Sequence, residues 1–254
     1  MSQDAVQQAE NLRERQEALF VMKTDGTELS RVTDDPARDR TPRFSPDGAM
    51  LTFFSNKSGP YEGWSVRRDG SDRKPLTATP EKDILFTFLS PDGRRTLAVF
   101  SGRDWIIGPS GAPLTLQSGT VTKTPSIGDG VFNPSTWSRD GRWLSGYIFS
   151  PSGGYAGNAL YDVASGAIKK LSDDGVGEQL AWMPDQRRVV YFTATGKLMI
   201  QDIVTLERRE LDVKLPLPPD ADFNIFASPD GRTLYYGAQQ TEANIWKVEV
   251  PKAP

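Results

Sequence analysis

The chain has 254 residues, with 30 basic and 33 acidic side chains, a formal net charge of −3, and neither histidine nor cysteine. The absence of these two residue types excludes disulfides, thiolate or histidine metal sites, and a Ser-His-Asp triad within this chain. It also contains no basic run of the kind that binds nucleic acid, and no apolar run near the roughly 18 residues of a membrane-spanning helix.

The first segment, 1–18, is polar and rich in Gln, Glu, Arg and Ala. Ser2 as an N-cap and a helical stripe of Ala5, Ala9, Leu12 and Leu19 predict a short helix. The segment is interpreted as a linker, with a cap over one face of the following domain as the alternative. It lacks the basic-then-apolar order of a signal peptide, so no export signal is expected in it.

One turn pattern recurs through the rest of the chain. Proline presets the φ of a type I turn, aspartate caps it, and glycine accepts the left-handed conformation that closes a hairpin. The copies, at steps of 45, 48, 45 and 45 residues, are Ser45-Pro46-Asp47-Gly48, Ser90-Pro91-Asp92-Gly93, Ser138-Arg139-Asp140-Gly141, Met183-Pro184-Asp185-Gln186 and Ser228-Pro229-Asp230-Gly231. Short strands at this period are typical of propeller blades.

The segments between the turns predict strands. An outer pair of strands comes first, at Leu19–Met22 and Leu29–Thr33. The first complete unit has strands at Arg43–Phe44, Met50–Ser55, Trp64–Arg67 and Lys74–Thr77. The second has strands at Phe86–Leu89, Thr96–Ser101, Trp105–Ile107 and Leu114–Thr115. The third unit carries glycine-rich insertions, one before Trp137 and one at Ser150–Gly157, where specificity or merely a loose connection is expected. The last two units use Trp182, Val189–Thr193, Leu198–Asp202 and Arg209–Leu211, then Ile225–Phe226, Leu234–Gly237 and Ile245–Val250.

These patterns predict an all-β fold, a β-propeller of four-stranded blades over 19–254. They supply twenty-one strands, whereas five closed blades need twenty. Five blades are favoured, with Leu29–Thr33 completing the last blade after Ile245–Val250 and so removing exposed edges. Six blades, or a partial ring of a longer propeller, are the alternatives.

Two further positions repeat with the turns. Apolar residues begin the pairs that end each unit, at Val32-Thr33, Leu76-Thr77, Leu114-Thr115, Leu171-Ser172 and Leu211-Asp212. Just before each turn stand Phe44, Leu89, Trp137, Trp182 and Ala227. We predict that these five residues pack between neighbouring blades rather than stack on a ligand.

The unit Arg31–Thr77, RVTDDPARDRTPRFSPDGAMLTFFSNKSGPYEGWSVRRDGSDRKPLT, resembles the WD40-like repeat of TolB-type propellers. That repeat also occurs in prolyl-oligopeptidase-like peptidases and in sensor domains of bacterial Ser/Thr kinases. The resemblance implies a bacterial, non-catalytic propeller, periplasmic or otherwise extracytoplasmic, that binds a protein or peptide across its mouth. The chain as given shows neither the hydrolase domain of the peptidases, nor a kinase domain, nor the N-terminal mixed domain and six blades of TolB.

In a propeller, the connection into each innermost strand lies at one mouth of the channel. The residues five and four positions before each turn are Arg40, Leu85, Asn133, Glu178 and Phe223, and then Thr41, Phe86, Pro134, Gln179 and Asn224. Their mixture of charge, amide and aromatic groups suits a recognition surface, although drift in unselected loops would give the same mixture. The candidate ligand-binding residues are Arg40, Asn133, Glu178, Phe223 and Asn224, with the Gly153–Tyr155 loop reaching over the rim.

The acidic pairs Asp34-Asp35 and Asp173-Asp174 follow blade-end strands and are predicted to be solvated loop caps, with calcium binding or catalysis as the alternative. No other cofactor is predicted. The sequence favours a binding module without enzymatic activity whose partner is a protein or peptide. A carbohydrate-active propeller that uses acids, and a sensor propeller of a kinase or peptidase assembly, are the competing hypotheses.

Overall fold

The structure is a computed structural model that describes residues 17–45, 48–101, 104–122, 125–213, 223–238 and 244–249. The helix predicted over 1–18 lies outside these residues except for Glu17 and Ala18, which are not helical. In the described ranges every regular element is a β-strand, which confirms the all-β prediction for this part of the chain. No helix there has the length and apolarity to cross a membrane.

The chain forms two compact units, Met1–Lys123 and Thr124–Pro254. Unit 1 contains three antiparallel sheets, which we name A, B and C. Sheet A consists of β1 (Phe20–Val21) and β2 (Ser30–Arg31); sheet B of β3 (Asp39–Phe44), β4 (Met50–Ser55), β5 (Glu62–Arg67) and β6 (Lys74–Pro75); and sheet C of β7 (Ile84–Leu89), β8 (Arg95–Phe100), β9 (Trp105–Pro109) and β10 (Thr120–Thr122).

Unit 2 contains sheets D, E and F, in which successive strands are again neighbours. Sheet D consists of β11 (Ser126–Ile127), β12 (Gly130–Trp137), β13 (Trp143–Phe149), β14 (Tyr155–Asp162) and β15 (Ile168–Ser172); sheet E of β16 (Gly175–Trp182), β17 (Arg188–Thr193), β18 (Leu198–Asp202) and β19 (Arg208–Glu210); and sheet F of β20 (Phe223–Ala227), β21 (Thr233–Ala238) and β22 (Asn244–Glu249).

Meandering sheets of this size are typical of propeller blades. Sheets B, C, D and E have four or five strands, whereas the described part of sheet F has three. The five-blade count is therefore not confirmed. The strand expected to complete the last blade, Leu29–Thr33, contributes β2 to a hairpin with β1, because the Asp25-Gly26 turn brings Ser30 opposite Val21.

The fourth strand of sheet C differs from the prediction. Thr120–Thr122 pairs with β9 there, whereas Leu114 forms an isolated parallel bridge with Thr77. The Leu114 side chain is buried among residues of sheets B and C, and its backbone exchanges 2.8 Å hydrogen bonds with Leu76 and Ala78. Because Leu114 packs between two sheets, it does not pair with β9 as the fourth strand of sheet C, which its sequence position predicted.

The repeated turns share one hydrogen-bond pattern. The Ser90 hydroxyl donates to Asp92 Oδ1 (2.5 Å) and accepts from the Arg95 backbone N–H (2.9 Å), and equivalent bonds recur in the turns at 138 and 228. The predicted left-handed conformation is confirmed at Gly48, Gly93, Gly141 and Gly231, with φ from +68° to +72°. The degenerate fourth turn, Met183–Gln186, has the same geometry, with Gln186 at φ +58°.

Hydrophobic clusters fill the space between consecutive sheets of each unit, between A and B, B and C, D and E, and E and F. The apolar residue of every predicted blade-end pair is buried, and so are Trp137 and Trp182 before their turns. Leu89 and Ala227 are partly buried. The prediction was wrong for Phe44, which is 57% exposed on the edge strand β3 and is covered by the Arg68 guanidinium (5.9 Å to the ring centroid) rather than by another sheet.

Candidate functional site

We call the strand before each repeated turn the first strand of its sheet, and the end at which that strand begins the leading end. Four of the five first strands have a register shift against the next strand: between Arg40 and Arg43, Ile84 and Phe86, Pro134 and Thr136, and Val176 and Ala181. Bulges re-aim side chains and are frequent beside functional sites. The predicted recognition positions in sheets B to E therefore coincide with, or adjoin, an irregular backbone.

At the leading end of sheet B, Arg40 forms a two-point ion pair with Glu17, through Nε to Oε2 and Nη2 to Oε1. The Arg40 guanidinium also lies 5.8 Å from the centroid of Tyr61, which contacts Phe54 edge-on at 5.3 Å. The hydrogen bonds from Arg40 hold the pKa of Glu17 below its ordinary value, and they raise the pKa of Arg40. Arg40 is thus a positioned carboxylate-binding group.

Thr41, beside Arg40, has a φ of +47°. A β-branched residue in the left-handed region is strained, and such residues persist at sites where the surrounding structure fixes them. In sheet C, Leu85 is equivalent to Arg40 and exposes part of its apolar side chain, whereas Phe86 is equivalent to Thr41 and is buried. The leading ends of unit 1 therefore present an arginine, an aromatic ring and a leucine.

At the leading end of sheet D, four side chains lie opposite one another on successive strands: Asn133, Tyr147, Asn158 and Ser172. Asn133 is 2% exposed and Asn158 0%. Asn133 Nδ2 and both amide atoms of Asn158 have no hydrogen-bond partner among the protein atoms. Unpaired buried amides cost stability, so a polar row of this kind calls for an explanation beyond packing.

An aromatic group adjoins this polar row. Tyr147 contacts Tyr155 edge-on at 5.2 Å between ring centroids, and Phe149 lies 5.7 Å from Tyr155. Tyr155, which follows the glycine-rich loop, is 37% exposed. The structure therefore brings Asn133 and Tyr155 to the same sheet, on either side of Tyr147 in β13.

The other three candidates are placed only through their backbones. Glu178 lies in β16 within the stretch of shifted register, and Phe223 and Asn224 lie at the start of β20, opposite Ala238 and Gly237. All three belong to first strands.

The acidic pairs considered for calcium are engaged by basic side chains. Asp35 Oδ2 lies 2.6 Å from both Lys57 Nζ and Arg73 Nη1, and Asp174 Oδ1 lies 2.6 Å from Arg208 Nη1. Asp34 and Asp173 also form ion pairs, with Arg31 and Lys170. Within the described ranges, no group of three or more acids converges in a way that could hold a metal ion.

Tyr61, Tyr147 and Asn158 were not selected from the sequence. Tyr61, like the predicted Tyr155, follows a glycine-containing loop that precedes the third strand of a repeat, and this shared position could have identified it. Asn158 is a strand residue whose proximity to Asn133 depends on two register alignments. No sequence motif or spacing predicts that the two asparagines lie in one row.

Comparison with known proteins identifies the fold. No protein-family model matches the chain. TolB from Acinetobacter baumannii superposes with a TM-score of 0.71 at 18% identity, over 91% of this chain and 57% of that one. The fold is that of a TolB-like β-propeller. A protein of Agrobacterium tumefaciens provisionally designated TolB gives a TM-score of 0.67 at 14% identity, over 91% and 84% of the two chains.

Enzymes are also among the proteins similar to this chain. An oligogalacturonate lyase in complex with manganese superposes with a TM-score of 0.53 at 14% identity, over 89% of this chain and 79% of the lyase. Dipeptidyl-peptidase 5 of Porphyromonas gingivalis is 22% identical over 292 aligned positions, 91% of this chain and 42% of the peptidase. An uncharacterised protein of Agrobacterium fabrum is 29% identical over 130 residues, 48% of this chain and 44% of that protein. The chain spans less than half the length of either relative.

Proposed function

We propose that this TolB-like propeller is a non-catalytic binding module for a protein or peptide, which docks at the leading ends of the first strands. The observation that carries the proposal is the leading end of sheet D, where the partly exposed Tyr155 contacts Tyr147, and Tyr147 lies between two buried asparagines with unpaired amide atoms. Binding energy at protein interfaces usually concentrates in a few tyrosine, tryptophan and arginine anchors. Tyr155 and Arg40 have the character of such anchors.

The same proposal treats 19–254 as one propeller domain, with sheets B to F as its blades. The resemblance to TolB-type repeats favours an extracytoplasmic location. Glu178, Phe223 and Asn224 are proposed contributors to the ligand surface because of their positions on first strands.

An enzymatic role is the second candidate, because a lyase and a peptidase are among the similar proteins. A carboxylate mechanism requires two acids aimed at one substrate bond. The acids at the blade ends are instead paired with lysine and arginine. A sensor role within a larger assembly is compatible with the binding proposal, because a sensor must also bind its ligand.

Selection of peptides from a random displayed library on the immobilised wild-type chain tests the proposal. We expect Tyr155→Ala and Arg40→Ala each to weaken binding of the selected peptides by about 1–2 kcal/mol. Lys170→Ala is the matched control, since Lys170 is exposed and pairs only with the exposed Asp173 in the described structure. Selected peptides that bind all three variants as tightly as the wild type would overturn the proposal.

A further inference from the structure

We infer that Arg40 recognises a carboxylate of an extended peptide, and that Glu17 occupies this site as an internal competitor. The inference deepens the proposed binding function and rests on it. Its starting point is the forked pair in which Arg40 Nε and Nη2 donate to separate oxygens of Glu17. Two-point pairing of this kind matches the planar guanidinium to a carboxylate and does not suit a single acceptor atom.

The backbone around Glu17 binds as an added strand would. Glu17 forms a parallel bridge with Arg38, and its carbonyl accepts the Asp39 N–H at 2.8 Å. β3 is the outermost described strand of sheet B, and the Glu17 backbone pairs with this outer edge. Peptides that add to a sheet edge use main-chain hydrogen bonds for affinity and side-chain contacts for specificity. The segment at Glu17 combines both features.

The site suits an acidic group in its charge as well as its shape. Arg38 lies close enough to Glu17 to help lower the pKa of its carboxyl, although the hydrogen bond from Arg40 is the larger cause. The Tyr61 ring supports the guanidinium from one face. A ligand carboxylate in place of that of Glu17 would meet the same donors without a change in Arg40.

The pair is also open to displacement. The side chains of Arg40 and Glu17 are 38% and 42% exposed. Exposed ion pairs contribute little stability, so an external carboxylate competes against a weak internal contact. Leu19 anchors the segment independently, because it is buried and bonds Thr33 and Val32 through its backbone. Release of the Glu17 carboxylate therefore leaves the core of sheets A and B in place.

Fluorescence anisotropy with a synthetic peptide tests the inference. The probe is a labelled peptide with the sequence of residues 14–20, ERQEALF, capped at both ends, and its counterpart with glutamine in place of Glu17. We expect Glu17→Gln protein to bind the acidic probe about threefold more tightly than the wild type, because the internal competitor is lost. Glu28→Gln, which removes another exposed glutamate of unit 1, should bind as the wild type does.

A third protein, Arg40→Gln, should bind the acidic and glutamine probes equally, because the side chain that distinguishes them is gone. A glutamine probe with a free C-terminus shows whether a terminal carboxylate is accepted as well as an acidic side chain. Equal binding of the acidic probe by Glu17→Gln and Glu28→Gln proteins would overturn the inference, as would retained discrimination in Arg40→Gln. Neither result would contradict the proposed binding function itself, because that proposal is tested separately by the binding of library-selected peptides to the Tyr155→Ala and Arg40→Ala variants.

Discussion

Gln186 and Gly93 occupy the same left-handed backbone region in equivalent turns, at φ +58° and +68°. Glutamine pays for that conformation in strain, whereas glycine does not. Gln186→Gly should therefore raise the free energy of unfolding by about 1 kcal/mol, even though it removes the 3.1 Å hydrogen bond from the Asp140 N–H to Gln186 Oε1. Urea unfolding measures the change. A loss of stability would mean that the side-chain contact outweighs the strain.

The turn glycines differ in the space around them. A Cβ at Gly93 would have no atom within 4 Å, whereas a Cβ at Gly231 would lie 2.8 Å from Pro184 Cδ. Gly93→Ala should cost about 1 kcal/mol through the backbone alone, and Gly231→Ala should cost more because of the added clash. Thermal unfolding of the two variants side by side is the measurement, and equal losses would contradict the steric argument.

The turn aspartates predict a specific acid sensitivity. The pKa of Asp92 is held below its ordinary 3.8 by the Ser90 hydroxyl and by the Arg94 N–H. Because the folded pKa is the lower one, this stabilisation is present above the unfolded value and is lost as the pH falls through the folded pKa, below about pH 4. Asp92→Asn should flatten the acid limb of a plot of melting temperature against pH, and Ser90→Ala should shift that limb to higher pH. An unchanged acid limb in both variants would contradict the role of this turn.

Asn158 is predicted to limit stability. Its amide is fully buried without a protein partner, and leaving such groups unpaired costs about 1–3 kcal/mol. Asn158→Leu, of similar size, should therefore raise the free energy of unfolding. Ser145→Ala is the matched control on the same sheet, because Ser145 Oγ accepts a 3.0 Å hydrogen bond from the Trp182 indole N–H. Loss of this hydrogen bond should lower the free energy of unfolding by about 1 kcal/mol. Destabilisation by Asn158→Leu would show that its amide is satisfied in solution.

Arg73 illustrates how far position along the chain can mislead. Residues that follow a turn usually lie at the surface, and Arg73 comes directly after the Asp69-Gly70 turn region. The structure instead buries it between Phe53 and Trp64, with Nη2 2.8 Å from Asp39 Oδ1. Arg73→Ala should therefore cost about 3 kcal/mol, since it leaves a buried carboxylate unpaired, whereas Lys170→Ala should stay within about 0.5 kcal/mol of the wild type. Chemical denaturation measures the free energy of unfolding of both variants, and equal values for the two would contradict this prediction.

The features that the sequence predicted well are those encoded locally. Serine, aspartate and glycine at fixed spacing determine the turns, and the apolar runs beside them determine β4 and β18 to the residue. Leu114 was misassigned because it packs between two sheets and leaves the predicted strand position. Phe44 was misassigned because no other sheet in the described part of the chain covers it. Arg40 and Asn133 could be selected by repeat phase, but Glu17 and Asn158 could not. Glu17 reaches Arg40 from outside the repeat, and Asn158 enters the row of Asn133 only through the pairing of both residues' strands with β13.

The parallel bridge between Thr77 and Leu114 has a consequence for how such a chain can be rearranged. A repeat cut out at its 45-residue period would end between Thr77 and Ala78, and it would separate Thr77 and the Leu76 carbonyl from Leu114, whose backbone N–H donates to that carbonyl. The sequence repeat is thus not the unit that can be exchanged. Duplication or recombination that preserves the fold must break the chain inside a hairpin loop, such as the one at Lys57-Ser58, so that the segment carried over includes the end of one sheet and the start of the next.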